Sequence, residues 1–413
     1  MHTIKSFFLG IIIWIIPCIV FAQNSTNSPY TRYGYGNLAD KSFISQRGMG
    51  GIGYGLRNSQ MINPMNPASY SSVDSMTFMF DFGVTGQSAW LNEGAEKEQR
   101  LNGNLEYIAM QFPLSKRLGF GAGFEPFSYV GYSYGDTTAL AGGYYSQEVH
   151  TGSGGFSKVY GAFSYKLLDN VSIGLKLSYL FGDIVNTLSS LNNITGSYSY
   201  SKTTTLRASG LLYDFGIQYY KPVGKYKTLT FGAIYSPKIK FGTKVMVDEV
   251  SSGSTTTNST VSTDSVFQMP ETYGLGFTYS RLSKFTVGAD VMYQRWASVK
   301  FEDKTNQFYD RLKVNVGGEY IPNFTGNNLL NKIRYRAGLS YGNSYLKVNN
   351  SKNSEYGANL GFGIPMPDRR SFLNLALEYS LVRPEFNLLR ERYFKVSLSY
   401  TFNELWFFKQ RIQ

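Results

Sequence analysis

The sequence predicts an all-β fold: a transmembrane, up-and-down antiparallel β-barrel of about fourteen strands, with an N-terminal hatch segment in its lumen. Three observations carry this. Segments of about ten residues alternate apolar and polar side chains with period two. The links between them alternate between long and short. The chain opens on an export signal, and beyond it there is neither a cysteine nor an apolar run near the roughly 20 residues of a membrane helix.

The opening, "MHTIKSFFLGIIIWIIPCIVFAQ", sets Lys5 ahead of an apolar run from Phe7 to Phe21. Val20 and Ala22 satisfy the small-residue cleavage rule, so residues 1–22 read as a cleaved signal peptide. Cys18 raises a rival, a lipidated cysteine, against which Pro17 argues. Residues 23–72 are assigned to the hatch and 73–413 to the barrel.

Within the hatch, "RGMGGIGYG" spells G-x-G-x-x-G at Gly48, Gly50 and Gly53. A dinucleotide site needs a strand before this motif and a helix after it. The upstream "NSPYTRYGYGNLADKSFISQ" reads as no buried strand. Downstream, Pro64 and Pro67 prevent a continuous helix. No nucleotide cofactor is expected. The glycines instead suit a tightly turned segment, completed by Asn63, Pro64, Asn66 and Pro67, that packs in a barrel lumen. A flexible leader with no plug function is the alternative.

The wall strands follow. In "FTVGADVMYQ", Phe285, Val287, Ala289, Val291 and Tyr293 alternate with Thr286, Gly288, Asp290, Met292 and Gln294. "VSIGLKLSYLF", "IRYRAGLSY" and "YFKVSLSYTF" repeat the pattern from Val171, Ile333 and Tyr393. Soluble sandwich strands are usually shorter, near five or six residues. Short links such as "LSKR", "LDN" and "LSK" alternate with long ones such as 135–155, 182–205 and 241–270. An outer-membrane barrel sorts its links in this way, and a sandwich has no reason to. Closure also pairs every backbone group without disulfides.

The net charge is +12, from 40 Lys and Arg against 28 Asp and Glu. The cations are scattered with no dense cluster, so they read as solvated loops and strand ends, and no nucleic-acid partner is expected. Catalysis is not expected either. Beyond the signal the chain has one histidine, His150, placed in a long loop. With no cysteine beside it, no metal site is expected.

Two stretches resemble the FadL/TodX family of outer-membrane channels for fatty acids and aromatic hydrocarbons. "MPETYGLGFTYSRLSKFTVGADVMYQRWASVKF" is similar to the family hairpin, matched at Pro270, Gly274, Gly276, Asp290 and Trp296. "MINPMNPASY" resembles the family's N-terminal segment at Asn66, Pro67 and Ala68. The resemblance implies a fourteen-stranded monomeric barrel in a bacterial outer membrane, with a hatch. It implies passive uptake of hydrophobic small molecules, fatty-acid-like or hydrocarbon, and contact with outer-membrane lipid. It also implies a third strand kinked inward to leave a lateral gate. "LGFGAGFEPFSYVGYSYG" carries the matching features at Gly123, Glu125, Pro126 and Phe127, because Pro126 deletes a ladder bond. An ordinary bulge is the alternative. The long links are rich in Ser, Thr and Asn, which departs from the apolar landing groove of the family. A rival function remains: a docking platform or partner in a secretion or surface-assembly complex.

Overall fold

The computed structural model describes residues 26–192, 199–252, 256–282, 284–326, 328–348, 350–368, 370–385 and 389–406. The signal-peptide reading, with Cys18, lies outside them.

Alternation builds the wall. A tilted strand with one wet and one lipid-facing side must change polarity at every residue. In chain order the strands are β1 (Asn37–Leu38), β2 (Thr77–Glu93), β3 (Glu96–Pro113), β4 (Leu118–Ala139), β5 (Tyr145–Leu168) and β6 (Val171–Asn192). Then come β7 (Ser199–Gly224), β8 (Lys227–Ser236), β9 (Ile239–Ser252), β10 (Thr256–Met269), β11 (Thr272–Arg281) and β12 (Phe285–Gln294). The last are β13 (Arg311–Tyr320), β14 (Arg334–Asn343), β15 (Asn353–Pro365), β16 (Phe372–Pro384) and β17 (Arg390–Leu405). Two one-turn helices, α1 (Ile44–Arg47) and α2 (Leu329–Lys332), complete the set.

β8 and β9 run in line, as do β10 and β11, each pair interrupted at a proline, Pro237 or Pro270. Counted so, β2 to β17 form the fourteen wall strands that alternation and loop parity predict. β17 pairs with β2 from Arg390↔Asn92 to Leu405↔Thr77, which closes the barrel. On β12, Gly288, Asp290, Met292 and Gln294 are buried on the inward side, while Val287, Val291 and Tyr293 are exposed outward. The outward face carries two aromatic rows, the girdles of a bilayer-spanning wall. Tyr235, Tyr273 and Tyr293 stand in successive register in one row. Tyr320, Tyr335 and Phe362 stand so in the other, near the short turns.

Three long links are corrected by the structure. The stretches 135–155, 182–205 and 241–270 are largely strand, because β4–β5, β6–β7 and β9–β10 continue as hairpins past the wall. Their sequences hid this, since those stretches carry no sustained alternation of apolar and polar residues. His150 therefore sits on β5 rather than in a loop, with Nε2 2.8 Å from Glu148 and its ring stacked on Tyr134. The upstream segment 27–46, read as containing no buried strand, holds only the two-residue β1, whose Asn37 is exposed and Leu38 half-buried.

Candidate functional site

Residues 42–72 pack against the inward faces of the wall. Gly50 and Gly51 have φ of +70° and +81°, so this turn needs glycine. The wall yields space with glycines of its own: a Cβ on Gly232 would overlap the Tyr54 carbonyl, and one on Gly338 would overlap Gly50. A Cβ on Gly48 or Gly53 would crowd Gly361 or Met65. Asn63 donates to the carbonyls of Gly53 and Leu56 at 2.7 and 2.9 Å. Asn66 accepts from Ala68 N at 3.0 Å and donates to Tyr54 O at 2.8 Å. Pro67 opens a 3-10 turn, Pro67–Ser72, and Pro64 lies in irregular chain before it.

Two groups kept apart in the sequence reading meet here. Asp290 of the β11–β12 hairpin accepts from the N–H groups of Gly53 and Tyr54 at 2.6 and 2.9 Å. The hairpin aspartate thus anchors the glycine motif. Trp296 is buried at the opposite level, its ring 5.5 Å from Tyr35 and 4.5 Å from Tyr345. Phe267, Phe301 and Phe308 join Tyr35 in this aromatic cluster, and Tyr35 donates to Gln268 O at 2.9 Å. Pro270 lies at the edge of this level, between β10 and β11.

The wall opens at its third strand. β3 and β4 pair only from Pro113↔Gly119 to Ile108↔Phe124. Above that, β3 runs on against β2, and β4 against β5. The break falls at Glu125–Pro126–Phe127, where the β4–β5 register also shifts between Pro126 and Ser128. The bare edge of β4 is met by β1 through Asn37↔Tyr129 and Leu38↔Ser128, and Ala39 donates to Phe127 O at 2.9 Å. Gly123 is needed below the break, since a Cβ there would lie 2.6 Å from Ile108 O.

Behind the break lies a cavity of about 230 Å³, whose lining includes Leu38, Lys41, Phe127, Lys158, Asp214 and Arg311. Buried Glu125 lies 2.9 Å from Lys158 and 2.7 Å from Lys176. Two ammonium groups thus share one carboxylate. The same cavity reaches Pro237 and Pro270, so both interruptions of the wall border it.

The sequence reading missed Tyr35, Lys41, Arg47 and the Glu125–Lys158–Lys176 cluster. For Lys158 and Lys176 the available signal was alternation itself, since a charged residue between outward apolar neighbours must point into the lumen, whereas Tyr35, Lys41 and Arg47 lie outside the wall strands and carry no such signal. Lys41 has its pKa pushed down to about 8, by burial first and by Lys158 and Lys176, with Asp214 and Glu125 opposing. A folded-state value below the free-lysine value means that folding disfavours the charged form. That penalty holds below pH 8 and is relieved as pH rises from 8 towards the unfolded value of about 10.5. Acylation of Lys41 by an amine reagent should therefore rise with a midpoint near pH 8, and Glu125→Gln should move it lower. A midpoint near 10.5 would contradict the packing described for Lys41.

Comparison with solved structures agrees with this architecture. CymD, a monoaromatic hydrocarbon channel, superposes with a TM-score of 0.57 at 15% identity, covering 89% of this chain and 98% of its own. The Pseudomonas putida toluene transporter TodX gives 0.57 at 15%, covering 90% and 100%. A Pseudomonas aeruginosa FadL homologue gives 0.58 at 14%, covering 89% and 98%. At such identities the likeness is one of fold, and the FadL/TodX-like barrel stands at that level. No curated protein matches the chain in sequence. The family model that does match is BamG, over residues 3–413, and the chain belongs to the BamG family.

Proposed function

We propose that this barrel sits in a bacterial outer membrane and passes hydrophobic small molecules passively, with exit sideways where β3 and β4 part. The observation that carries the reading is the ladder ending at Ile108↔Phe124, directly beside the lumenal cavity. Where the ladder between two wall strands ends, an apolar molecule can pass sideways between them without breaking backbone hydrogen bonds. β1 lies across the bare edge and acts as the movable cover, and residues 42–72 act as the hatch beneath. Solved barrels of the same fold are described as a hydrocarbon channel and a toluene transporter, which supports this cargo class. No residue in the lumen is assigned a catalytic role.

The docking-platform reading keeps one specific support. Leu140, Tyr144, Tyr145 and Leu191 are exposed on the hairpins above the wall, and the aromatic cluster around Tyr35 fills the lumen at that end. Liposomes with and without the purified protein separate the two. The channel reading expects faster entry of a hydrophobic fluorescent probe, and apolar compounds co-purifying by mass spectrometry. Entry equal to that of protein-free liposomes, with no retained compound, removes the channel and leaves the platform.

A further inference from the structure

The cations scattered in the sequence are gathered by the topology. The β7–β8 turn reads "KPVGKYK" and the β11–β12 turn "RLSK". The two turns are joined side by side, with Leu282 N–H donating to Tyr226 O at 2.8 Å. They bring Lys221, Lys225, Lys227, Arg281 and Lys284 to one sector of the short-turn rim, and no acidic residue lies in either turn. None of the five has an ion-pair partner among the described residues. Lys227 and Arg281 are moreover direct cross-strand partners, and like charges placed opposite each other destabilise a sheet. A bound anion would relieve that repulsion.

Apolar groups surround the charges. Val223, Tyr226 and Leu282 are exposed, Leu282 to 70%. Lys284 lies 5.2 Å from the centre of the Tyr320 ring, in the lower aromatic row. Period two puts Lys221 and Lys227 on the same outward side as Tyr219 and Leu229, and Arg281 on that of Tyr279. The cations therefore continue the lipid-facing surface rather than facing away from it, and Phe231, Leu275 and Phe277 stand exposed above them. An acidic protein would meet the charges but not this apolar wall. A diacyl lipid with an anionic headgroup meets both.

We propose that the rim between the β7–β8 and β11–β12 turns is a headgroup site for an anionic phospholipid of the adjacent leaflet, with its acyl chains on the β7, β8 and β11 wall. The test is native mass spectrometry of the detergent-purified mature protein titrated with phosphatidylglycerol or phosphatidylcholine. Wild type should bind the first at least about tenfold more tightly, with the preference shrinking as salt rises. Lys227→Gln/Arg281→Gln should lose most of that preference, with heat-modifiability on gels as the folding check. Lys116→Gln/Lys332→Gln removes the same charge elsewhere on the rim and should keep the preference. Equal affinity for the two lipids overturns the site. So does an equal loss in the control variant, which would assign the effect to the rim's overall charge. If the first double variant does not fold, Arg281→Gln alone carries the comparison.

Discussion

Replacing Arg47 by methionine should loosen residues 42–72 from the wall and leave the barrel closed. Arg47 is 2% exposed, and its guanidinium lies 2.5 Å from Glu106 and 3.9 Å from Glu378. Its Nε donates to Ser42 O at 3.0 Å, and its own carbonyl accepts from Asn359 at 2.7 Å. One side chain thus ties the segment to β3 and β16, and the carbonyl ties it to β15. Methionine fills much of the same volume but leaves two carboxylates facing each other in a buried site. Breaking a buried pair from one side costs about 3–5 kcal/mol, because the orphaned charge stays behind. Lys395, the cross-strand partner of Glu378, offsets part of this.

The loss should fall on the segment and not on the wall. The wall is held by continuous ladders from β4 round through β8/β9 and β10/β11 to β3, whose bonds the substitution does not touch. Hydrogen exchange should quicken at Gly48 to Gly51 by about two orders of magnitude, with the amides of β14 to β16 unchanged. Trypsin should gain a cut near Arg57, and single-channel conductance should rise. Arg47→Met/Glu106→Gln should recover part of the protection, since one orphaned charge is then gone. Unchanged exchange at Gly48 to Gly51 in the single variant would show that the glycine packing, not the ion pair, holds the segment.

How much of this was legible follows from which faces differ. On β12 one side meets lipid and the other meets Asp290 and its neighbours, so the sequence alternates and the strand can be read. On the outer part of β10, residues 261–264 are exposed on both sides of the strand. "SSGSTTTNSTVSTDS" has no period, and its strands were invisible. The third-strand break was legible in part, since Pro126 announces a missing ladder bond in any sheet. That the vacated edge is met by Asn37 and Leu38 was not legible, because a two-residue strand has no periodicity and its partner lies about ninety residues away. The Asp290 contact with Gly53 and Tyr54 spans 237 and 236 residues. Each half was recognisable, as a hairpin aspartate and as a glycine motif, but nothing local says that one binds the other.

The cover itself gives the sharpest test of lateral exit. Asn37 and Tyr129 are paired across an antiparallel bridge, where Cα atoms stand about 4.5–5.5 Å apart, within the span of a disulfide. The sequence holds a single cysteine, Cys18, so Asn37→Cys/Tyr129→Cys adds the one pair placed to form across this bridge. If β1 must leave the edge of β4 for cargo to pass, oxidation should lower uptake of a hydrophobic probe about tenfold, and a reductant should restore it in the same sample. Reversal excludes misfolding, since the two states differ by one bond. A control pair at Gly161 and Leu177, also cross-strand partners but on the unbroken β5–β6 ladder, should leave uptake unchanged in either state. Stiffening β4 is a poorer test, because Gly123→Val would drive a side chain into Ile108 O and the Tyr160 ring, so its effect would report a clash and not a sealed wall. Full uptake by the oxidised Asn37→Cys/Tyr129→Cys protein would mean that cargo does not pass β1. The break at Pro126 would then be a bulge that shapes β4 around Glu125, Lys158 and Lys176.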